Sequence, residues 1–508
     1  MNDGNIANAL PASDGHGNTL HECEICRGRF PVDGVWNAGE KIICKTCHAK
    51  TVAVVVKAAE QPPAGSAVDL KQPVRRLQLG TLLPRITCPH CWNRFPPEQI
   101  LWISQHAELL GDTVLGPEAA ARFLPTRFAV DGSALDGRGM HCQNLACPRC
   151  HLIIPRAFVE TDPLFVSIVG VPASGKSYLL TAMTWELRRR LPERFAVMFS
   201  DADTVANRIL NEYEELLFLQ ADSSKVVAIR KTEVHGVVLY DQIRLGEQIV
   251  SLPRPFLFTL RPLAGHPNAI HAARVGRVLC LYDNAGEAFD PGEDSAASPV
   301  TQHLSKSRVL MFLFDPTQDA RIRARCREFS SDPQLDGRAR RQETVFLEMA
   351  ARIRRYVGLN SQQRYDRPLL VVLPKADVWG KLIGLDLSQE PLLLGGRLGL
   401  VDLAKVESVS AKVRALLLEF APEFVTAAED FCQHVVYIPV SALGHSPQKQ
   451  DGQEGLLVRP SDIRPTWVTV PMLYMFAKWS IGLIGGEAPA AGSMPPAPTI
   501  TGTNAGGK

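Results

Sequence analysis

Short apolar runs alternate with helical patterns over most of the chain after residue 160. Apolar runs rich in Val, Ile and Leu are typical of buried strands, and apolar residues recurring every three to four positions are typical of helices. The alternation predicts an α/β fold, with a mostly parallel sheet covered by helices on both faces. The predicted strands are Leu164–Val169, Arg194–Phe199, Phe256–Leu260, Val278–Tyr282, Val309–Phe314, Leu369–Leu373 and Val435–Val440.

Helices are predicted to begin at Gly175 and after Asp203, and to cover 341–356 and 403–420. One strand pair departs from the parallel pattern. The connection between the strands at 256–260 and 278–282 is short and contains Pro and Gly, which leaves little room for a crossover helix. We therefore expect one antiparallel pair there.

Composition narrows the class of protein. The 508 residues, 45% hydrophobic and 21% charged, are typical of a globular protein with more than one domain. The 55 Lys and Arg against 53 Asp and Glu give a net charge of +2, which argues against bulk electrostatic binding to nucleic acid or membrane. The N-terminus lacks a basic start followed by an apolar run, so we expect a cytoplasmic protein with reduced thiols.

Cysteine positions divide the chain, because nine of the 12 cysteines lie before residue 151. We predict two small cysteine modules, at 21–57 and 84–158, with a linker at 58–83 and a nucleotide-binding domain at 159–485. Residues 1–20 and 486–508 are expected to be disordered. The apolar stretch Trp467–Ile484 contains Lys478, so we predict a terminal helix packed on the core, with a membrane segment as the alternative.

The first module carries Cys23-x-x-Cys26 and Cys44-x-x-Cys47, with 17 residues between the two turns. Two such turns supply four thiolates at a spacing that is typical of a tetrahedral zinc site. The alternative is that these cysteines are small buried apolar residues. His48, beside the second turn, is interpreted as a bystander.

The second module pairs Cys88-Pro-His-Cys91 with Cys147-Pro-Arg-Cys150 across 55 residues. An amphipathic helix is predicted at 96–111 in that interval, so the module resembles a zinc ribbon with an insertion. Cys142 is a fifth cysteine, with His90, His141 and His151 also near, and we favour the two CPxC turns as the ligands. The alternative is a fold without zinc. Both zinc sites are expected to be structural. Their spacing does not distinguish a protein ligand from a nucleic-acid ligand, and redox chemistry is a further alternative.

The strongest motif is G-x-x-x-x-G-K-S, which follows an apolar strand and precedes a helical pattern. In such a loop the backbone amides turn toward the phosphates of a nucleotide. The lysine reaches the β- and γ-oxygens, and the serine hydroxyl binds Mg²⁺. The predicted contacts are Gly170, Ala173, Ser174, Gly175, Lys176, Ser177 and Tyr178.

Three further segments follow predicted strands and favour guanine: Asp283 with Gly286, Lys375 with Asp377, and Ser441 with Ala442. In the first, D-x-x-G, the acid holds Mg²⁺ through water and the glycine amide senses the γ-phosphate. In the second, K-x-D, the lysine stem packs on the base and the carboxylate accepts both guanine N1–H and the exocyclic amine. In the third, a backbone amide contacts the base oxygen. Open α/β sheets bind ligands at the carboxyl ends of their strands, where these three segments are predicted to lie.

Together these motifs resemble the translation-factor-related, Ras-like (TRAFAC) class of P-loop GTPases over roughly residues 160–485. The resemblance implies a P-loop NTPase domain that hydrolyses GTP with Mg²⁺ by in-line attack of water on the γ-phosphate. With RFLPTRF (122–128) and CPRCHLIIP (147–155), the chain also resembles the zinc-ribbon-bearing double-GTPase proteins of bacterial NTP-dependent conflict systems. That resemblance implies a regulatory switch within a multi-gene immune cassette.

Two positions depart from the class. Pro374 stands where the base motif usually begins with Asn or Thr, and it cannot donate a side-chain hydrogen bond to the phosphate loop. An ATPase is therefore an alternative. Glu287 stands where small GTPases often carry the Gln that orients the attacking water, so hydrolysis is expected to be slow or partner-dependent. A nucleotide-binding scaffold with little hydrolysis is the alternative from another class.

Other candidate residues have ordinary alternatives. Thr232 is the candidate first-switch threonine for Mg²⁺ and γ-phosphate, and an unspecialised loop threonine is the alternative. Asp201 and Asp203 are expected to cap the helix that follows them, and a catalytic role is the alternative. The ten arginines and five acids of 321–355 predict a salt-bridged helix face, with an arginine finger as the alternative.

The predicted protein is a Mg²⁺-dependent GTPase switch that engages unidentified protein partners, encoded nearby, through two zinc modules. Nucleic acid as a partner of the zinc modules has no support in the sequence, and no membrane partner is expected.

Overall fold

The structure, a computed structural model, describes residues 82–229, 240–284, 289, 299–395, 398–449 and 456–487, and the backbone of four short strands before them. The chain divides into two units, Met1–Leu79 and Gly80–Lys508. In the first unit the strands form two antiparallel hairpins, β1 with β2 and β3 with β4. Their bounds are β1 Leu20–Glu22, β2 Arg29–Pro31, β3 Val35–Ala38 and β4 Lys41–Cys44.

The second unit begins with ten very short strands. They are β5 Ile86–Thr87, β6 Arg94–Phe95, β7 Leu101–Ile103, β8 Leu110–Asp112, β9 Gly116–Ala120, β10 Arg122–Phe123, β11 Ala134–Leu135, β12 His141–Cys142, β13 Leu145–Ala146 and β14 Ile153–Ile154. Strands β10, β7, β13 and β14 form one antiparallel sheet, and β5–β6, β8–β9 and β11–β12 are hairpins.

The helix predicted at 96–111 is wrong. That segment contains a 3₁₀ turn, Pro97–Gln99, and the strands β7 and the start of β8. Its backbone groups bond to distant segments: the Ile103 amide donates to the Asn144 carbonyl, and the amides of Gln105 and His106 both donate to Asp136 Oδ2. Tertiary pairing therefore replaces the local bonds that a helix needs.

The remaining strands follow in chain order. They are β15 Pro163–Gly170, β16 Val197–Asp201, β17 Tyr240–Leu245, β18 Gln248–Pro253, β19 Phe256–Pro262, β20 Arg277–Asp283, β21 Val309–Leu313, β22 Leu369–Leu373, β23 Leu392–Gly395, β24 Leu398–Asp402, β25 Val435–Pro439, β26 Gln448–Lys449, β27 Leu456–Leu457 and β28 Gly485–Glu487.

Seven of these strands form the central sheet, in the order β16–β19–β20–β15–β21–β22–β25. Strands β20, β15, β21, β22 and β25 are mutually parallel, which confirms the mostly parallel sheet. The predicted antiparallel pairing of β19 with β20 is confirmed. Strand β19 also pairs antiparallel with β16, so there are two antiparallel pairs rather than one. Strand β16 begins later than predicted because the preceding helix continues to Phe195 and ends at Ala196, whose φ is +51°.

Helices cover both faces of this sheet. One apolar core packs Leu187 and Met472 against one face, and a second packs Phe346 and Phe424 against the other. The α-helices are α1 Ala157–Glu160, α2 Lys176–Phe195, α3 Arg208–Phe218, α4 Ala272–Val275, α5 Ala320–Cys326, α6 Gln342–Val357, α7 Ala376–Trp379, α8 Leu403–Phe420, α9 Pro422–Phe431 and α10 Val470–Trp479. Further 3₁₀ turns are Ala269–His271, Pro299–Ser305, Pro316–Gln318, Pro333–Asp336, Gly380–Ile383 and Pro460–Asp462.

The apolar segment near the C-terminus is a core helix, as predicted. Helix α10 contributes Met472, Met475 and Phe476, all fully buried, to the first core. Among the described residues, no helix has the length and apolar character needed to cross a membrane.

The charged segments also have structural explanations. Asp203 Oδ1 accepts from the amides of Val205 and Ala206 in the turn before α3. The capping prediction is wrong for Asp201, because its carboxylate accepts from side chains, those of Arg188, Asn207 and Asn211. The N-cap residue of α3 is Asn207, and its side chain makes no cap hydrogen bond. In the arginine-rich segment, acids pair with several of the arginines. These pairs are Arg321 with Glu423, Arg325 with Glu328, Arg341 with Glu343, and Arg352 with Glu348. The salt-bridged interpretation of this segment therefore agrees with the contacts.

Candidate functional site

The glycine-rich loop connects the end of β15 to the start of α2. Two of its residues have a positive φ, Ala173 at +61° and Gly175 at +91°, so the chain turns sharply ahead of the helix N-terminus. A Cβ atom on Gly170 would lie 2.9 Å from Leu313 Cβ and 3.0 Å from the Leu313 carbonyl oxygen. Glycine is therefore required at Gly170 because β21 approaches so closely.

Lys176 folds back over this loop. Its Nζ donates to the carbonyl oxygens of Gly170 at 2.8 Å and Val171 at 3.2 Å. Ser174 Oγ is buried and has no hydrogen-bond partner in the described part of the chain. Tyr178, in the first turn of α2, accepts a hydrogen bond from the Ile229 amide at 3.2 Å. The loop thus places an ammonium group at the N-terminus, the positive end, of a 20-residue helix.

Asp283 lies at the end of β20, beside the glycine-rich loop, because β20 pairs in parallel with β15 in the register Asp283 opposite Ile168. Ser177 and Asp283 line one small cavity together with Leu210, Tyr213 and Phe256. Asp283 Oδ1 is buried without a hydrogen-bond donor among the described residues. Burial raises the pKa of Asp283 to about 6, and the charge of Lys176 opposes that rise. A partnerless carboxylate oxygen beside a hydroxyl fits a hard cation.

The K-x-D segment lies at the end of β22, two strands from the glycine-rich loop. Lys375 has a φ of +58°, and its Nζ donates to Asp315 Oδ2 at 2.6 Å and to the Ala173 carbonyl at 3.4 Å. Asp377 accepts a hydrogen bond from Ser441 Oγ, and burial raises the pKa of its carboxyl group. The sheet therefore brings the K-x-D and S-A segments together, next to the phosphate-type loop.

Ser441 and Ala442 follow β25, at the end of the sheet. The Ser441 side chain is fully buried, and its Oγ accepts from the Gly444 amide at 2.8 Å while donating to Asp377. Ala442 is half-buried and packs on the first core.

Three residues after β21 were missed by the sequence analysis. Asp315 is fully buried and bonds Lys375, and Thr317 Oγ1 lies 3.2 Å from Lys375 Nζ. Gln318 Nε2 donates to the Pro172 carbonyl at 3.1 Å and to Asp315 Oδ2 at 3.2 Å. The one available signal was an acid at the carboxyl end of a buried strand, in Phe-Asp-Pro-Thr-Gln.

Cys88, Cys91, Cys147 and Cys150 form a buried cluster. Their four Sγ atoms lie within 4.8 Å of one another, and in the part of the chain that the structure describes no other group of metal-ligating side chains comes together in this way. The amides of His90 and Arg149 donate to Cys88 Sγ and Cys147 Sγ, both at 3.4 Å, as in a paired zinc knuckle. Burial raises the pKa of the Cys88 thiol. A bound cation would stabilise its thiolate form. The donor set fits tetrahedral zinc.

The nearby cysteine and histidines have other partners. Cys142 lies in the β11–β12 hairpin, where its Sγ donates to the Met140 carbonyl at 3.6 Å. His90 Nε2 bonds to the Ile153 carbonyl, and His151 Nδ1 bonds to Asp112. His141 Nδ1 bonds to Ser133 Oγ. The surplus cysteine of the second module is therefore Cys142.

Several predicted site residues lie outside the described residues. They are Thr232, Gly286, Glu287, Cys23, Cys26 and Cys47, and of Cys44 only the strand backbone is described. The first zinc site, the first switch and the residue expected to orient water remain predictions.

No protein-family model matches the chain. A relative from Mycolicibacterium smegmatis, described as "Putative ESX-1 scaffolding and assembly protein SaeC", is 23% identical over 391 residues, which are 71% of this chain and 92% of the relative.

Three solved structures resemble parts of the chain. Aquifex aeolicus Era bound to GDP and aluminium fluoride is 15% identical over 56% of this chain and 53% of its own, with a TM-score of 0.22. Era with MgGDPNP and a 16S ribosomal RNA segment is 12% identical over 58% and 62%, with a TM-score of 0.21. The Saccharomyces cerevisiae Ski7 GTPase-like domain bound to GTP is 13% identical over 65% and 53%, with a TM-score of 0.23. The chain spans less than two thirds of each, and these scores are too low to carry an argument about this site.

The close approach at Gly170 generates a first prediction. Gly170→Ala should lower the free energy of unfolding by about 1–3 kcal/mol, because the new Cβ overlaps Leu313. Gly337→Ala is the matched control: its φ is −60° and its nearest neighbour would be the Gln334 carbonyl at 3.7 Å, so a change within about 0.5 kcal/mol is expected. Urea unfolding of both variants measures the difference. Equal effects would contradict the packing argument.

The cysteine cluster generates a second prediction. Cys147→Ser should remove about one zinc ion per chain, because three thiolates and a hydroxyl make a poor tetrahedral site. Cys142→Ser should leave the zinc content unchanged. Elemental analysis of the purified full-length variants distinguishes the two. Zinc loss from the Cys142 variant would show that the ligand set is wrong.

Proposed function

We propose that the chain is a Mg²⁺-dependent, GTP-binding molecular switch whose second cysteine module holds one zinc ion. The observation that carries the proposal is the convergence of four separate segments at one edge of the central sheet: Gly170–Ser177, Asp283, Lys375–Asp377 and Ser441. Such a group offers a phosphate loop, an acid near the metal position and an acid for a base, which are the parts a guanine-nucleotide site needs.

At the phosphate end, Lys176 moves from the loop carbonyls to the β- and γ-oxygens of the nucleotide. The Ser177 hydroxyl and the Asp283 carboxylate, which line one cavity, would hold Mg²⁺. The partnerless Asp283 Oδ1 supports this role, because a buried carboxylate without donors is stabilised by a nearby cation. Mg²⁺ held there would supply positive charge beside the phosphates, and the Gly170–Ser177 amides would position them.

At the base end, Asp377 accepts the two donors of guanine and the Lys375 stem packs on the ring. Adenine offers no such pair of donors. Pro374 cannot tie this segment to the phosphate loop, but Lys375 and Gln318 both donate to loop carbonyls, at Ala173 and Pro172. These contacts connect the base segment and its neighbour to the loop without a donor at Pro374.

Two roles are compatible with such a site. The resemblance to conflict-system double-GTPases supports a regulatory switch that hydrolyses GTP, in which the zinc modules engage protein partners. The description of the M. smegmatis relative as a scaffolding and assembly protein supports a second candidate, a nucleotide-binding scaffold with little hydrolysis. Phosphate release from GTP, with and without candidate partners, distinguishes the two. Tight binding without turnover would favour the scaffold.

Lys176→Ala tests the phosphate site. Loss of its charge-assisted hydrogen bonds should weaken GTP binding by about 10- to 100-fold. The matched control is Lys412→Ala, an exposed lysine on α8, which should bind like the wild type. Titration with a fluorescent GTP analogue, with unlabelled ATP and GTP as competitors, gives affinity and specificity. Equal competition by ATP would contradict the guanine assignment, and an unaffected Lys176 variant would contradict the site itself.

Asp377→Asn tests the base site. An asparagine amide donates where the carboxylate accepted, so affinity for guanine should fall by about 10- to 100-fold while affinity for xanthosine triphosphate, which has a carbonyl at that ring position, should rise. Asp366→Asn, at an exposed acid, serves as the control. Competition by GTP, xanthosine triphosphate (XTP) and ATP measures this change in base preference. A variant that keeps its GTP preference would exclude Asp377 from base recognition.

A further inference from the structure

Strand β20 places two consecutive side chains in different environments. Asp283 lines the cavity with Ser177, while Tyr282 lies in the apolar core that also contains the four clustered cysteines. Successive residues of a strand point to opposite faces, so a contact that fixes Tyr282 also fixes the backbone that carries Asp283.

The Tyr282 hydroxyl joins the first cysteine turn directly. It donates to the Pro89 carbonyl at 2.5 Å and accepts from Trp92 Nε1 at 3.1 Å. Pro89 lies between the cluster residues Cys88 and Cys91, and Trp92 follows them. Tyr282 is 1% exposed and Trp92 is 6% exposed, so water does not compete for these hydrogen bonds.

His303 connects Tyr282 to the residue on the other side of Asp283. Its ring stacks on Tyr282, with centroids 4.6 Å apart and planes at 9°. Its Nε2 lies 2.8 Å from Asn284 Oδ1, and Asn284 Nδ2 donates to the Ile168 carbonyl at 3.1 Å. Because the Asn284 amide group faces Ile168, its oxygen accepts, and His303 donates from Nε2.

Both neighbours of Asp283 are thus held, while Asp283 Oδ1 itself has no donor among the described residues. We propose that the four-cysteine module positions Asp283 for the Mg²⁺–nucleotide complex through Tyr282, Trp92 and His303. Tyr282 is then a positioning residue, and the cysteine module is part of the nucleotide site as well as a platform for partners. This inference rests on the proposed function, because it assigns a metal-binding role to Asp283.

The contacts of Tyr282 with Pro89 and Trp92 could instead only hold the cysteine module on the sheet, and nucleotide binding by a variant that lacks them distinguishes the two roles. In the first case, loss of these contacts would destabilise the protein and weaken nucleotide binding equally with and without Mg²⁺. In the second case the contacts position Asp283, so their loss reduces only the part of the affinity that Mg²⁺ contributes.

The test uses the full-length chain and a fluorescent GTP analogue titrated in excess Mg²⁺ and in EDTA. Tyr282→Phe keeps the ring and removes the hydroxyl, and we expect the Mg²⁺-dependent gain in affinity to fall about 3- to 10-fold, the range for one or two buried hydrogen bonds. The affinity in EDTA should not change. Trp92→Phe, which removes only one of the two bonds, should shift the gain in the same direction by less. Zinc content should stay at the wild-type value in both variants.

The matched control is Tyr474→Phe, which removes a hydroxyl that donates to Glu407 Oε1 at 3.1 Å from a tyrosine that is 2% exposed. It should leave the ratio of the two affinities unchanged. An unchanged ratio in Tyr282→Phe, an equal loss in both buffers, or the same shift in the control would overturn the proposal. If the wild type binds nucleotide without any Mg²⁺ dependence, the role of Asp283 is wrong and the inference is overturned too. A wild type that binds no nucleotide in either buffer would overturn the proposed function itself.

Discussion

The parallel pairing of β15 with both of its neighbours is the constraint on which the candidate site depends. Strand β15 bonds to β20 on one side and to β21 on the other, in registers that bring Gly170 opposite Leu313 and Asp283 opposite Ile168. Parallel strands end at the same edge of a sheet, so the polar residues that follow them meet there. A shift of one residue in the β15–β20 register would turn Asp283 toward the cysteine module and Tyr282 toward the cavity.

Two buried carboxylates at this edge, Asp315 and Asp283, differ in their hydrogen-bond and ion-pair partners. Asp315 is paired with Lys375 and capped by Thr317 and Gln318, which satisfies its charge inside the protein. Asp283 Oδ1 has no hydrogen-bond partner among the described residues, and burial raises the pKa of this carboxyl group against the opposing charge of Lys176. The buried ion pair of Asp315 with Lys375 fixes the position of the lysine side chain. A buried acid without such a pair is a candidate for chemistry or metal binding.

Much of this arrangement was predictable from residues that are close in sequence. The strands that end at Gly170, Asp283 and Leu373 are buried apolar runs, and the glycine-rich loop has a fixed spacing, so their order at one edge follows from the α/β pattern. The insertion at 96–111 was not predictable in this way. Its apolar residues recur at helical spacing, but its amides bond to Asp136 and Asn144, which lie about 30 residues or more away.

Contacts between residues that are distant in sequence also explain why some site residues were missed. Asp315 and Gln318 have no motif spacing, and their roles appear only when β21 and β22 are side by side. The contact of Tyr282 with Pro89 joins residues 193 positions apart. The choice between Cys142 and the other cysteines likewise depended on hairpin geometry, because all five lie in the same stretch of sequence.

The apolar core around the cysteine cluster is shared between the module and the sheet. Trp92 and Phe158 pack in it beside Phe165, Cys280 and Tyr282, which belong to β15 and β20. Unfolding of the module would therefore expose one wall of the sheet, and an apolar wall of that kind promotes aggregation. If the four thiolates hold a cation, as proposed, its supply would become a condition for keeping the domain built on this sheet in solution.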